Sequence, residues 1–122
     1  MREPLSPKRL EGSGRWLLKI FTGLLIVVFL GIHFIVNHLV APGGLLTYAD
    51  VVAYFQNPII VVMEISFLVL VVVHSFLGLR SILLDLDPSP MVLRVVNFVL
   101  VIIGTVAVIY GAWLALTIAS RG

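Results

Sequence analysis

The stretch VHSFLGLR at residues 73–80, followed at a distance of five residues by Asp85, places a histidine inside an almost entirely apolar segment. His74 and Gly78 are four residues apart and therefore share one face of a helix, and Arg80 follows two residues later. A glycine on that face leaves room for a flat, bulky group beside the imidazole. An ionisable side chain is costly in lipid, which makes His74 a candidate functional residue. Since imidazole nitrogen is a common ligand of haem iron, the pattern favours an axial haem ligand.

The composition of the whole chain excludes a soluble domain. Of its 122 residues 61% are hydrophobic and only 11% are charged, too few to cover a surface exposed to water. The calculated pI of 9.4 does not indicate nucleic-acid binding, because the basic residues lie beside the apolar stretches. The chain has no cysteine, which excludes disulfides, iron–sulfur ligation by this chain and thiolate ligation of haem. The class is therefore an integral membrane protein.

Three apolar stretches are long enough to cross a bilayer, which takes about 20 residues of helix. The sequence therefore predicts an all-α fold with three transmembrane helices. A polar tail is expected at residues 1–14 and one membrane domain at residues 15–122. The expected spans cover residues 16–40, 58–84 and 91–118.

The segments between the spans carry helix-ending and interfacial residues. Pro42, Gly43 and Gly44 are expected to end the first span. Residues 45–56 have mixed polarity and include two tyrosines, which predicts a short helix at the level of the lipid headgroups. Two prolines in residues 85–90 indicate a short, rigid turn between the second and third spans.

The basic residues predict an orientation in the membrane. Five of them lie before or at the start of the first span, and two flank the turn between the second and third spans. The loop between the first two spans has none. By the positive-inside rule, the N-terminus and the second turn are expected to be cytoplasmic and the C-terminus outside. We therefore expect a multi-pass protein of the cytoplasmic membrane. The residues concerned are Arg2, Lys8, Arg9, Arg15 and Lys19 at the first position and Arg80 and Arg94 at the second.

The rise of a helix predicts that the three histidines lie at different depths. We count about 1.5 Å per residue from Lys19 and Arg80, taken as one interface. His74 then lies roughly 9 Å deep and His33 roughly 21 Å deep. His38 comes out at roughly 28 Å, near the outer interface. Because the axial ligands of one haem lie at nearly the same depth, His33 and His74 are not expected to bind the same iron.

Two interpretations of these histidines follow. Either His33 and His74 bind different haems, each with a second ligand from another chain, or only one of them is a ligand. For each histidine the alternative is a hydrogen-bonded packing residue, and for His38 we prefer an interfacial position near a haem propionate. Haem sites in bundles lie between facing helices, and three helices enclose little space, so a partner subunit with further helices is expected.

The charged residues of the second span have their own candidate roles. Glu64 is the only acid well inside a span, and we expect it to be neutral or paired. It is interpreted either as a hydrogen-bonded packing group or as a proton-handling group near an outer cofactor or a quinone. Arg80 is either an interfacial anchor or a partner of a haem propionate or a quinone, since its planar fork suits carboxylates. Asp85 is a second candidate for contact with the quinone.

Three features resemble the hydrophobic membrane anchor subunit of bacterial succinate dehydrogenase (succinate:quinone oxidoreductase). FTG at residues 21–23, with His33 ten residues after Gly23, is similar to the "(S/T)G…H" pattern of the family's first helix. Residues 74–80 with Asp85 resemble the "HxxxGxR….D" pattern of its second helix. The three-span layout with a cytoplasmic N-terminus is the third feature.

This resemblance implies partners, cofactors and a role. Two anchor subunits, or one fused chain, would hold one or two haems b in a helical bundle and dock an iron–sulfur subunit and a flavoprotein. Electrons from succinate, in the tricarboxylic acid cycle, would pass through FAD and iron–sulfur clusters to a quinone of the respiratory chain. The resemblance implies that His74 ligates the haem nearer the iron–sulfur subunit and His33 the farther one. This chain would be non-catalytic or would contribute to the quinone site.

One position departs from the family pattern. Many ubiquinone-reducing relatives have tyrosine directly after the aspartate, whereas Leu86 follows Asp85 here. This reduces the expectation of a direct quinone contact and, with two haems, favours menaquinone. Two other functions stay open at this point. They are a small transporter that uses Glu64 and a structural membrane subunit without a cofactor.

Overall fold

The structure is a computed structural model that describes residues 12–41, 43–45 and 47–122. Its elements are α1 (Ser13–Ile35), which continues as a π-helical turn (Val36–Val40), α2 (Tyr48–Tyr54), α3 (Pro58–Leu84) and α4 (Pro90–Ala119). Three helices, Ser13–Val40, Pro58–Leu84 and Pro90–Ala119, are long and apolar enough to span a membrane. The prediction of an all-α fold with three transmembrane helices is confirmed. Residues 1–11 of the predicted tail, with Arg2, Lys8 and Arg9, and Pro42 of the first loop lie outside the described residues.

The two long C-terminal helices begin in the same way. Asn57 precedes α3, and its side chain accepts a hydrogen bond of 2.9 Å from the backbone N–H two residues later. Ser89 precedes α4 and accepts one of 3.3 Å from the N–H three residues later. Pro58 and Pro90 take the first helical positions, where a missing N–H leaves no bond unmade. These capping residues and prolines therefore fix the first residues of the two helices.

The short helix α2 is present where one was expected between the first two spans. Thr47 and Asp50 form a capping box, in which the Thr47 backbone N–H donates to the Asp50 carboxylate at 2.9 Å. Just after α2, the Gln56 side chain donates at 3.2 Å to the carbonyl oxygen of Ala119. This bond ties the link between α2 and α3 to the last turn of α4.

Helix α3 lies in the middle and packs against α1 on one side and α4 on the other. Glycines bring α4 close: a Cβ on Gly104 would lie 3.0 Å from the ring of Phe76, and one on Gly111 would overlap Leu68. Yet only 11%, 11% and 6% of the most apolar part of the three spans is buried within the chain. The three helices therefore enclose almost no core, and their apolar surface is left for lipid or other chains.

Candidate functional site

His74 lies on the face of α3 that packs against α1. Its Nδ1 is 3.1 Å from the backbone carbonyl oxygen of Lys19 and 3.2 Å from Oγ1 of Thr22. The Thr22 hydroxyl donates its proton to the backbone carbonyl of Leu18 at 2.8 Å. Its oxygen can therefore only accept a hydrogen bond from the imidazole. A carbonyl oxygen can only accept, and both contacts therefore require the proton on Nδ1. In a neutral imidazole this leaves the Nε2 lone pair available to a metal.

Two glycines shape the surroundings of this imidazole. A Cβ on Gly23 would lie 3.0 Å from Cε1 and 3.8 Å from Nε2 of His74, so the ring rests directly on the backbone of α1. A Cβ on Gly78 would meet nothing within 4 Å. The open face predicted one turn after the histidine is therefore present, and its occupant stays a prediction.

A second polar site lies farther along the same α1–α3 interface. His33 follows Thr22 by eleven residues, and Glu64 precedes His74 by ten, which corresponds to about 15 Å along each helix. Nδ1 of His33 is 2.9 Å from Oε1 and 3.0 Å from Oε2 of Glu64. The tyrosine hydroxyl of Tyr54 donates to the same Oε1. A continuous chain of polar groups thus runs from α2 through Glu64 to the imidazole.

Asn37 connects this second site to the unusual end of α1. It is only 6% exposed, and its Nδ2 donates at 2.7 Å to the backbone carbonyl of His33 and lies 3.1 Å from that residue's Nδ1. A side chain that bonds the carbonyl four residues back competes with the backbone ladder. The helix widens here into its π turn, where the Ala41 N–H donates at 2.9 Å to the carbonyl of Val36. Such turns are frequent at functional sites.

The tautomer of His33 depends on Glu64 and on the Asn37 amide, whose Nδ2 can donate to Nδ1 only when Nδ1 carries no proton. When Glu64 is ionised it can only accept, and Nδ1 of His33 must then carry the proton, which leaves Nε2 free for a metal. When Glu64 is protonated it can donate to Nδ1, and the imidazole proton moves to Nε2. The Nε2 lone pair is available only in the first state. His33 therefore has a variable partner, whereas His74 has a fixed one.

The Tyr54 hydroxyl is well suited to hold Glu64. Burial raises the pKa of Tyr54 above its usual range, and the hydrogen bond to the Glu64 carboxylate raises it further. The phenol therefore stays protonated and donates. From the sequence, Tyr54 is expected only at the membrane interface. Its spacing from Glu64, across the start of α3 at Pro58, does not indicate a contact between the two side chains. Asn37 carried a stronger signal, since it lies four residues after His33 on the same helix face.

His38 lies at the mouth of this second site. It is exposed, and its ring centroid is 4.9 Å from that of Phe34. A cavity of about 550 Å³ is lined by His33, Asn37 and His38, and by residues of the loop that follows the π turn. The structure therefore brings His33 and His38 to one cavity, apart from His74.

Arg80 and Asp85 lie elsewhere. Arg80 is buried, and its Nε donates at 2.7 Å to Oδ1 of Asn97 on α4. It therefore lies on a different face of α3 from His74, whose ring meets α1. Asp85 is exposed and ends α3. The described residues contain no group of three or more His, Cys, Asp or Glu side chains that could hold a bare metal ion.

A family model and two similar proteins all indicate the same family. Residues 1–111 match the family model for the transmembrane subunit of succinate dehydrogenase and fumarate reductase. Two similar proteins are each described as a succinate dehydrogenase hydrophobic membrane anchor subunit. The one from Archaeoglobus fulgidus is 32% identical over 84% of this chain and 87% of its own length. The one from Thermoplasma acidophilum is 30% identical over 80% of each chain. No solved structure gives a significant match.

Proposed function

The chain belongs to the family of succinate dehydrogenase and fumarate reductase transmembrane subunits and is a membrane anchor subunit, and we propose that it binds haem b through His74. The family resemblance predicted from residues 21–23, His33 and residues 74–80 is thereby confirmed. Haem ligation, the number of haems and transfer of electrons to quinone are our proposals.

One observation carries the proposal for His74. Its Nδ1 faces the Lys19 carbonyl at 3.1 Å, which holds the tautomer with a lone pair on Nε2. Metal-binding histidines commonly donate their other ring N–H to a carbonyl or carboxylate in this way. Gly23 lets the ring rest on the backbone of α1, and Gly78 leaves open space one turn after the histidine. A bound haem would supply one-electron transfer, and His74 would hold its iron, supported by Thr22 and the Lys19 carbonyl.

Any further ligand of that haem would come from another chain. His33 is paired with Glu64 and lies about 15 Å along the helices from His74. The large uncovered apolar surface of the three spans supports a partner anchor subunit that completes the bundle. An iron–sulfur subunit and a flavoprotein would dock at the cytoplasmic end, the end that carries Lys19 and Arg94 by the positive-inside rule.

At the second level we propose His33 as the ligand of a second haem b. Glu64 in its ionised form would hold the Nδ1 proton, and Asn37 and Tyr54 would keep both side chains in place. His38, at the mouth of the shared cavity, would lie toward the edge of that group. The Tyr54–Glu64–His33 chain would also carry a proton between His33 and the α2 end of the site.

The quinone part of the proposal rests on fewer residues. Asp85, exposed at the end of α3, is the candidate of this chain. Arg80 faces α4, so we do not propose that it contacts a haem bound to His74. The contact of Arg80 with a quinone stays a prediction. Menaquinone is proposed because Leu86 stands where many ubiquinone-reducing relatives have tyrosine.

A haem count of the purified complex tests these proposals. Reduced-minus-oxidised spectra and a pyridine haemochrome assay are recorded for the wild type, His74→Ala and His33→Ala. Ser75→Ala, at an exposed neighbour of His74, is the matched control. We expect two b haems in the wild type and the control, and the loss of one in each histidine variant.

Other outcomes separate the two levels. If His33→Ala leaves the haem count unchanged, His33 is a packing residue and His74 is the only ligand of this chain. If His74→Ala retains all haem, the central proposal is wrong. A complex without haem would support a structural subunit, or a transporter that uses Glu64.

A further inference from the structure

The short helix α2 has little packing of its own to hold it in place. It has seven residues, and the structure describes all of them with no side chain buried. A helix of this length is not stable in water by itself, because forming its first turn is unfavourable and few further turns follow. The position of α2 must therefore be set by contacts with the other helices.

The side chain of Gln56 joins the end of α2 to the end of α4. Its Nε2 donates at 2.9 Å to the carbonyl oxygen of Val52 in α2 and at 3.2 Å to that of Ala119 in α4. An amide nitrogen carries two hydrogens, so one group can serve both acceptors. Both carbonyls lie in the last turn of a helix, where carbonyls commonly lack an intrahelical partner. The side chain also packs against the backbone of Gly122, where an added Cβ would overlap its amide.

Helix α4 is a firm support for this bond, because it is packed closely against α3. A Cβ on Gly111 of α4 would overlap Leu68, which lies one turn after Glu64 on α3. A cavity of about 150 Å³ between these two helices is lined by Glu64 and also by Phe55, the residue before Gln56. The segment that ends α2 therefore lies against the part of α3 and α4 that surrounds Glu64.

The consequence of this attachment is found at Tyr54, two residues before Gln56. The Tyr54 hydroxyl donates to Oε1 of Glu64, and the same oxygen lies 2.9 Å from Nδ1 of His33. Hydrogen bonds are lost beyond about 3.5 Å, so a displacement of about 1 Å at the end of α2 would withdraw the hydroxyl from the carboxyl group. The contact therefore depends on what holds α2.

We propose that Gln56 is a positioning residue for the His33 site. By joining α2 to α4, its amide keeps the Tyr54 hydroxyl on Glu64, and Glu64 in turn stays against Nδ1 of His33. The last turn of α4 thereby supports a site whose histidine lies on α1. The effect of Gln56 on a cofactor rests on the proposed function of His33 as a haem ligand, whereas its effect on the contact between Tyr54 and Glu64 does not.

A double-mutant cycle in the purified complex tests this role. Gln56→Met removes the donor at similar side-chain length, Tyr54→Phe removes the hydroxyl, and a third variant carries both changes. Two further variants serve as controls. Gln56→Lys restores N–H donors of a charge that suits helix C-termini, and Arg121→Gln changes an exposed residue just after α4. The melting temperature, the hydrogen exchange of the α2 backbone and the midpoint potential of the His33-linked haem are measured.

We expect Gln56→Met to speed amide exchange in α2 about threefold, the factor that corresponds to an average side-chain hydrogen bond between membrane helices. It should shift the potential of the His33-linked haem in the same direction as Tyr54→Phe. The double variant should shift it no further than Tyr54→Phe alone, because both changes remove one contact. Its loss of melting temperature should likewise be smaller than the sum of the two single losses. Gln56→Lys should resemble the wild type, and Arg121→Gln should change none of these values.

Two results would overturn the proposal. Additive effects of Gln56→Met and Tyr54→Phe would mean that Gln56 acts independently of the Tyr54 contact. Unchanged hydrogen exchange in α2 with Gln56→Met would mean that the amide does not hold this helix. A complex without a haem linked to His33 would refute the ligand role of His33, and the melting temperatures would then decide about Gln56. Non-additive values would support its positioning role, and additive values would overturn it.

Discussion

The two histidine levels of the α1–α3 interface use the same ring atom in different ways. Nδ1 of His74 meets a backbone carbonyl, which is an acceptor under all conditions. Nδ1 of His33 meets the carboxyl group of Glu64, which can be an acceptor or a donor. Only the first contact holds one tautomer permanently. If both histidines bind haem as proposed, His74 would be a constant ligand, whereas the availability of His33 would follow the proton of Glu64.

The largest effect is expected from filling the space beside His74. Gly23→Val places a branched side chain where even a methyl group would lie 3.0 Å from the imidazole. The ring would have to leave its bond to Lys19, and overpacking of this kind costs about 1–3 kcal/mol. We expect a lower melting temperature of the complex and loss of the haem at this level, measured by spectrum.

Gly78→Ala is the matched control, because its added methyl group meets nothing within 4 Å in the chain. It should leave the helix packing intact. If it nevertheless removes haem while the complex stays folded, the open face at Gly78 is occupied by the cofactor. Equal melting temperatures for Gly23→Val and the wild type would contradict the tight packing described for His74.

A smaller effect is expected when the variable partner is removed from the other level. Glu64→Leu leaves the Tyr54 hydroxyl and His33 Nδ1 without their shared acceptor, at a cost of about 1–3 kcal/mol. We expect a lower stability and an altered spectrum of the His33-linked haem only. Glu64→Gln, which can still accept from Tyr54, is the control and should lose less. A change confined to the His74-linked haem would contradict the separation of the two levels.

Removal of the hydroxyl beside His74 should have a modest effect. Thr22→Val deletes one of the two acceptors of Nδ1, but the Lys19 carbonyl remains. Side-chain hydrogen bonds between membrane helices contribute about 0.6 kcal/mol on average, and we expect a loss of that order. Haem should be retained, with a small shift in its midpoint potential that Thr22→Ser does not show. Complete haem loss would mean that Thr22, and not the carbonyl, holds the ring.

The smallest effect is expected at the edge of the second level. Tyr54→Phe removes one donor to Glu64 and leaves the contact between Glu64 and His33 in place. Because Tyr54 is only partly buried, the loss of stability should stay below about 1 kcal/mol. The measurement is the midpoint potential of the His33-linked haem, which we expect to shift while the other haem does not. An equal shift in both haems would show that the levels are coupled.

The fold could be predicted closely from the sequence, and so could parts of the candidate site. Three apolar stretches of sufficient length predict three spans, and the structure has them. Glu64 is sixteen residues from Arg80, so counting helix rise puts it roughly 24 Å deep, between the levels of His33 and His38. Its side chain contacts His33. The same counting separated His33 from His74. These predictions succeed because helix rise is constant and needs no knowledge of neighbouring helices.

The partners of each side chain could not be predicted in the same way. Apolar residues surround most of α3 and α4, so hydrophobicity by itself does not indicate which face of these two helices meets which neighbour. Arg80 donates to Asn97, which carried no signal in the sequence. Its expected contact with a haem propionate or a quinone stays a prediction. Tyr54 reaches Glu64 from a separate helix, and this contact depends on how the loop between the first two spans folds.

The sequence by itself therefore determined the membrane class, the three spans, the family and the separation of two histidine levels, because composition and helix rise are properties of single segments. Only the tertiary structure decided which groups meet Nδ1 of each histidine. It placed the Lys19 carbonyl against His74 and the Glu64 carboxyl against His33. The rotation of α1 against α3 sets these contacts, and that rotation follows from close packing at positions such as Gly23, where the absence of a Cβ lets an imidazole touch the neighbouring backbone.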